Sequence, residues 1–173
     1  MKPYTGTKPA TQIHFEDVQA GDSLPTLRKG PITTTHLMRW SAAIENWHKI
    51  HYDQEFATKH DKLPGILVNG MLKQQFVIQL LKDWAGHEGW MWKARLQFRA
   101  MDFVGSTLDV WGKVEAKTRL EEYGLIELKV GIKTLEGRES TQGDALVALP
   151  FSSGKPVPYP FVPPRVDPWG APT

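Results

Sequence analysis

The feature that most limits how this chain can fold is one strongly apolar helical segment. From Gly70 to Ala85, apolar residues recur at helical spacing over a broad face. Asn69 is a suitable N-cap before the segment, and Gly86 and Gly89 end it. Its polar residues are Lys73, Gln74, Gln75, Gln79, Lys82 and Asp83. A face this wide predicts a helix that is largely surrounded by protein.

The segments after this helix alternate between apolar and charged residues. They cover residues 92–100, 107–118, 125–134 and 143–150. An alternation of period two with one polar face is typical of antiparallel strands. Before the long helix, the pattern predicts a short strand within residues 15–25 and a helix from Thr35 to Glu45. The sequence therefore predicts an α+β domain in which an antiparallel sheet covers a long helix.

The overall composition excludes several classes of protein. The chain has 173 residues and no cysteine, which excludes disulfides, zinc ribbons, iron–sulfur clusters and thiol nucleophiles. A net charge of +2 gives no indication of nucleic-acid binding. No apolar run approaches the roughly 18 residues needed to span a bilayer, and no secretory signal is visible. We therefore expect a soluble cytoplasmic protein with neither a nucleic acid nor a membrane as partner.

The two ends differ in composition from the middle of the chain. Residues 1–12 are polar and predict a loose arm, residues 13–150 predict the folded domain, and residues 151–173 form a Pro-rich extension. Eight of the 13 prolines lie from residue 150 onward, which disfavours a helix or strand there. The extension also carries Phe151, Tyr159, Phe161 and Trp169. A frayed tail is one interpretation, but four aromatic residues favour an arm bound to its own domain or to a partner.

The loop "NWHKIHYD" at residues 46–53 contains the residues best suited to chemistry. A histidine with a near-neutral pKa can transfer protons, and His48 and His51 lie three residues apart. Asn46 can orient a water molecule or end the preceding helix, and Asp53 is expected to cap the next helical turn. The spacing of His48, His51 and Asp53 matches no established metal motif, so we expect no metal.

Three stretches together resemble the MaoC-like acyl-CoA hydratases. They are "SAAIENWHKIHYDQEFATKH", "PGILVNGML" and "FRAMDFVGSTLDVWGKV", and the likeness runs from about Phe15 to Pro150. The hydratase motif of that family is Asp, any residue, Asn, Pro, any residue, His, followed by a "YDPEFA"-like stretch and later by Val-His-Gly-Met. The loop is most similar to that of the mesaconyl-CoA and methylfumaryl-CoA hydratases. The resemblance implies a single hotdog domain, with the sheet wrapped around the long helix.

The resemblance also implies roles for individual residues. His51 stands at the position of the catalytic histidine, and Asn46 stands where most hydratases have an aspartate. His48 falls within the usual Asn-Pro pair and could supply the second titrating group. An ordinary surface role is the alternative for His48, and a helix cap is the alternative for Asn46.

The second part of the implied site is the start of the long helix. Val68, Asn69 and Gly70 stand at the positions of the family's Val-His-Gly, so the resemblance implies that they face the substrate. The backbone N–H of Gly70 would bind the thioester oxygen, helped by the helix dipole. For Asn69, a role as N-cap is favoured over direct substrate contact.

Three functions fit these features. The first is an acyl-CoA hydratase or dehydratase acting on a 2-enoyl-CoA thioester, with CoA as part of the substrate and no separate cofactor. The second is a non-catalytic MaoC-like subunit that binds acyl-CoA or completes an active partner, which Asn46 and Asn69 favour. The third is a hotdog thioesterase, which is disfavoured because the long helix has no acid before Asp83. A homodimer, or a heterodimer with a second MaoC-like chain, is expected in each case.

Overall fold

Two helices and five strands make up the computed structural model, which describes residues 12–165 and 167–170. The strands are β1 (Leu27–Lys29), β2 (Trp90–Phe98), β3 (Leu108–Arg119), β4 (Gly124–Thr134) and β5 (Glu139–Leu149). The helices are α1 (Thr34–Ala43) and α2 (Gly70–Ala85), with short helical turns at Phe15–Asp17, Lys49–His51 and Phe56–His60. None of the helices in this described part is long and apolar enough to cross a lipid bilayer.

The strands form one antiparallel sheet around α2. Their order is β1-β3-β4-β5-β2, so β1 and β2 are its two edges. The inner face of the sheet and the buried face of α2 share one apolar core. Its fully enclosed side chains include Leu37, Val77, Leu81, Leu108, Val110, Ile126 and Ile132. The predicted α+β hotdog arrangement is confirmed.

The segment before β1 differs from the sequence prediction. Residues 15–17 form a 3-10 turn, and the strand begins at Leu27. The turn is closed locally because the Asp17 carboxylate accepts the His14 N–H at 3.0 Å. The Phe15 ring also fills the space above Gly124, where a Cβ atom would lie 1.9 Å from it. Local capping and this aromatic contact thus replace the expected strand.

Helix α1 lies close to its predicted position. Thr33 is the N-cap, with its side-chain oxygen accepting the His36 N–H, and the helix ends at Ala43. Glu45 then adopts a positive φ of 52°, which turns the chain away from the helix axis. This reversal sends residues 46–53 back toward the start of α2.

The C-terminal extension packs on the outer face of the sheet. The Phe161 ring lies 5.5 Å from Tyr123 and 5.9 Å from Trp90, measured between centroids. The Tyr123 hydroxyl donates to the Val162 carbonyl at 2.8 Å. The Tyr159 ring also lies 5.9 Å from that of Trp90, but it makes this contact on the outside and remains 84% exposed. The extension therefore covers apolar outer-face residues that would otherwise contact water.

The predicted N-terminal arm lies outside the described residues except for Gln12. The Gln12 amide donates to the Ala85 carbonyl and accepts the Glu88 N–H. Gln12 therefore caps the carboxyl end of α2, where backbone carbonyls lack partners within the helix.

We predict that Phe161 contributes to stability and that Tyr159 does not. Phe161→Ala removes a half-buried ring packed on three aromatic side chains, so the free energy of unfolding should fall by about 1–2 kcal/mol. The matched change Tyr159→Ala should alter it by less than about 0.5 kcal/mol. Urea unfolding followed by circular dichroism measures both values. Equal losses in the two variants would contradict the packing described above.

Candidate active site

Leu67 fixes the loop that carries His51. Its backbone N–H donates to the Ile50 carbonyl at 2.9 Å, and its carbonyl accepts a hydrogen bond from His51 Nδ1 at 2.8 Å. The stretch around Leu67 is itself paired with residues 102–104, through Val68 N–H to Asp102 and Val104 N–H to Ile66. His51 is consequently held on a rigid support, with 7% of its surface exposed.

The bond to Leu67 decides which ring nitrogen of His51 can act as a base. A backbone carbonyl only accepts, so Nδ1 must carry the proton. In the neutral ring, Nε2 then presents a lone pair. Across residues 12–165 and 167–170, no protein group is hydrogen-bonded to Nε2. The geometry therefore prepares Nε2 to take a proton from a bound water.

The amino end of α2 offers an unoccupied hydrogen-bond donor. Asn69 is the N-cap, and its Oδ1 accepts the Met71 N–H at 2.8 Å. Gly70 is the first helical residue, and its N–H has no partner among the described residues. A free N–H at the positive end of a 16-residue helix suits a developing negative charge.

Glycine at position 70 also leaves room beside this N–H. A Cβ atom there would lie 3.2 Å from the Phe98 ring, which is closer than ordinary contact. The apolar side chains of Phe98 and Met71 lie beside this N–H and are 46% and 48% exposed, so this end of α2 is open to a ligand. A ligand that covers these side chains would exclude water from the donor and strengthen its hydrogen bond to a charged oxygen.

Val68 and Asn69 take structural positions in this arrangement. Val68 is 3% exposed, belongs to the apolar core and uses its N–H to bind the Asp102 carbonyl. Asn69 is equally buried, and its side chain is used as the cap. Both residues hold Gly70 at the start of the helix. Their contact with a substrate stays a prediction.

Asn46 and His48 lie nearer the surface than His51. Asn46 Oδ1 accepts the His48 N–H at 3.2 Å, and Ile44 rather than Asn46 caps the end of α1. His48 is exposed, and its Nδ1 accepts the Ile50 N–H at 3.4 Å. The ring centroids of His48 and His51 are 6.2 Å apart. The structure thus brings the three residues into one loop and leaves His51 as the enclosed one.

A buried ion pair beside the site was missed in the sequence. Lys73, assigned to the polar face of α2, is 2% exposed, and its Nζ binds Asp102 Oδ2 at 2.9 Å and the Ala100 carbonyl at 3.0 Å. Arg138 binds the other Asp102 oxygen at 2.9 Å. The sequence did contain a sign of this burial, because Lys73 is spaced four and seven residues from Val77 and Leu80 and so lies on the same face of the helix.

The described part of the chain holds no cluster of three histidine, aspartate or glutamate side chains that could bind a metal ion. The groups that this part of the chain offers to a ligand are the Nε2 atom of His51 and the N–H of Gly70.

Residues 4–106 match the family model of hydroxyacyl-thioester dehydratase type 2. The chain belongs to this family. No curated protein sequence matches the chain. The resemblance to MaoC-like hydratases is therefore confirmed for the family as a whole. The narrower likeness to mesaconyl-CoA and methylfumaryl-CoA hydratases stays a prediction.

Several solved structures share the fold of this chain. The (R)-hydratase of A. caviae involved in PHA biosynthesis is 24% identical, with a TM-score of 0.70 over 78% of this chain and 99% of that one. The ChsH1-ChsH2 complex of Mycobacterium tuberculosis is 20% identical, with a TM-score of 0.65 over 76% and 98%. RV0216 of the same organism, which has a double hotdog fold, is 18% identical, with a TM-score of 0.66 over 88% of this chain and 48% of that one. At these identities the likeness shows the fold.

We predict that Lys73 is required for stability. Lys73→Met leaves the Asp102 carboxylate buried with only the half-exposed Arg138 as partner, so the free energy of unfolding should fall by about 3 kcal/mol. Lys82→Met is the matched control, because Lys82 lies on the same helix and is exposed. The control should change stability by less than about 0.5 kcal/mol. Chemical unfolding measures both, and equal values would contradict a structural ion pair.

Proposed function

We propose that this chain is an acyl-CoA hydratase or dehydratase, which adds or removes water across the double bond of a 2-enoyl-CoA thioester. The observation that carries the proposal is the His51 ring, anchored to Leu67 through Nδ1 with Nε2 free. The same Leu67 lies three residues before Gly70, whose N–H is also free. Membership of the hydroxyacyl-thioester dehydratase family supports this class of reaction.

The reaction needs a base for water and a donor for the thioester oxygen. In hydration, His51 Nε2 takes a proton from water while the hydroxide adds to C3 of the enoyl group. The negative charge moves to the thioester oxygen, where the Gly70 N–H stabilises it. The imidazolium then returns its proton to C2, so one water has been added and the enzyme is regenerated. Dehydration follows the same steps in reverse.

We assign both proton transfers to His51 because Asn46 cannot accept a proton. The Asn46 amide nitrogen has no partner in the described part of the chain, so it can hold the oxygen of the attacking water. His48 is exposed and bound to Ile50 through Nδ1, which suits a supporting role. No separate cofactor enters this mechanism, since CoA belongs to the substrate.

The acyl group of the substrate, the oligomeric state and the cellular location are further parts of the proposal. The loop's resemblance to mesaconyl-CoA and methylfumaryl-CoA hydratases makes these thioesters the first substrates to assay, beside linear enoyl-CoAs. A homodimer or a heterodimer fits the free edge of β2, which carries the exposed Trp90 and Phe98. The ChsH1-ChsH2 complex, which shares this fold, supports a heterodimer as one of these two arrangements. The cytoplasmic location stays a prediction.

One alternative has an observation in its favour. Because Asn46 replaces an acidic group and its Oδ1 is already bonded to His48, the chain could be a non-catalytic subunit that completes an active partner.

A thioesterase is disfavoured because the first acid on α2 is Asp83, in its last turn.

We predict that His51 is essential for turnover. His51→Ala should lower kcat/KM for a 2-enoyl-CoA by about 10²–10⁴, the usual contribution of general acid–base catalysis. Asn46→Asp should be neutral or faster, because it restores a carboxylate beside the water. His48→Ala should have little effect if His51 carries both transfers, and a large loss would assign the second transfer to His48. Loss of absorbance at the conjugated thioester measures the rate.

His60→Ala is the control for the histidine series, because His60 is exposed and outside this loop. The subunit alternative forecasts no turnover by the isolated wild type and no effect of His51→Ala in a reconstituted complex. That pattern across short, medium and branched enoyl-CoAs would overturn the enzyme proposal.

We predict that the Gly70 N–H is the oxyanion donor. Gly70→Pro removes this N–H at the first helical position, where proline is tolerated, and Asn69 already has the extended conformation (φ −63°, ψ 131°) that precedes proline. Its kcat should fall by about 10²–10³. Gly70→Ala is the matched control, because it adds the crowding against Phe98 and keeps the N–H. Equal losses in both variants would assign the effect to crowding.

A further inference from the structure

A groove lies between α1, β1 and one side of α2, and no residue of the His51 loop lines it. Its volume is about 480 Å³. One wall is the face of α1 on which His36, Arg39, Trp40 and Ala43 recur at spacings of three and four residues. The opposite wall is formed by residues 28–30 at the end of β1. The proposed hydration reaction uses no residue of this groove.

The floor of the groove is apolar. Leu72 and Phe76 lie one turn apart on α2, and Ile32 closes the end near β1. The Trp40 ring packs against the same core. Ile32 and Leu72 are already buried, whereas Phe76 and Trp40 are partly exposed. An aliphatic chain lying along this floor would cover the exposed parts of Phe76 and Trp40, which is favourable in proportion to the apolar area covered.

The polar side chains that line the groove can each offer an N–H group to a ligand. His36 Nδ1 accepts the Thr33 N–H, so the neutral ring directs its own N–H through Nε2. Arg28 is already paired with Asp109 at 2.7 Å. The Arg39 guanidinium, in contrast, has no partner in residues 12–165 and 167–170. No acid lines the groove, so its electrostatic character is cationic.

Lys29 adds a second cation at the same rim. Its Nζ donates to Gln79 Oε1 at 2.6 Å and lies 5.4 Å from the centre of the Phe76 ring. Partial burial lowers the pKa of Lys29, and the charge of Asp83 opposes that effect. A negative group bound beside Lys29 would also favour its charged form, so the site gains from an anionic ligand.

Trp40 supplies a further unsatisfied donor. Its Nε1–H is buried and has no hydrogen-bond partner among the described residues. Buried donors in proteins are nearly always paired, by protein groups or by ordered water. This atom is not accessible from the groove, so the charged head of a ligand is assigned to Lys29 and Arg39 and not to Trp40.

We propose that this groove binds an aliphatic carboxylate of medium length, with the head between Lys29 and Arg39 and the chain along Leu72 and Phe76. The apolar floor selects the chain, and the donor-only rim selects the carboxylate. Binding is measured without turnover, so the assignment stands or falls independently of the hydratase proposal.

The test is calorimetric titration of the full chain with decanoate, decanol and decyl phosphate. Decanoate should bind with a dissociation constant at least about tenfold lower than that of decanol, because the charged head adds charge-assisted hydrogen bonds. Arg39→Gln should weaken decanoate binding at least about tenfold and leave decanol binding unchanged. Ala43→Phe, at an exposed position in the wall, should weaken both ligands by filling the groove.

Lys113→Gln is the matched control, because Lys113 is an exposed cation on β3 outside the groove. It should leave decanoate binding unchanged. No decanoate binding, equal binding of decanoate and decanol, or equal losses in Arg39→Gln and Lys113→Gln would each overturn the proposal. Tighter binding of decyl phosphate than of decanoate would overturn the assignment of a carboxylate.

Discussion

The buried carboxylate of Asp102 holds together the parts of the protein that form the candidate active site. One oxygen binds Lys73 of α2, and the other binds Arg138 beside the turn between β4 and β5. The backbone carbonyl of the same residue accepts the Val68 N–H, next to the Leu67 that anchors His51. Burying charges is costly, and the cost is offset only when each charge is paired and hydrogen-bonded, as it is here. The helix, the sheet and the loop of His51 are thereby tied together at Asp102.

This arrangement explains why the site can be rigid although its central residue lies in a loop. His51 has no long secondary structure of its own, but both hydrogen bonds made by Leu67 fix its position relative to α2. The free N–H of Gly70 is fixed by the helix itself. Catalytic donors that are held in place before the reaction need no reorganisation during it, which is the main source of electrostatic catalysis.

Unpaired donors mark both ligand sites that we infer. At the start of α2 the donor is a single backbone N–H in apolar surroundings, which suits an oxygen that becomes negative only during the reaction. In the groove between α1 and α2 the unpaired donor among the described residues is the Arg39 guanidinium, a full positive charge beside an apolar floor, which suits a group that is already charged. The two sites thus differ in the kind of negative charge that they favour, and α2 contributes to both.

The sequence by itself determined the long helix, four of the strands and the loop of His51, because these depend on local periodicity and on a motif with fixed spacing. It also indicated Asn69 as the N-cap, since capping involves neighbouring residues. The helical spacing of Lys73 with Val77 and Leu80 already indicates the buried face of α2, but only the tertiary structure decided its partner, because Asp102 lies 29 residues away along the chain. The tautomer of His51 likewise depends on Leu67, 16 residues later. Such contacts are set by how the helix packs into the sheet, and no local pattern encodes that packing.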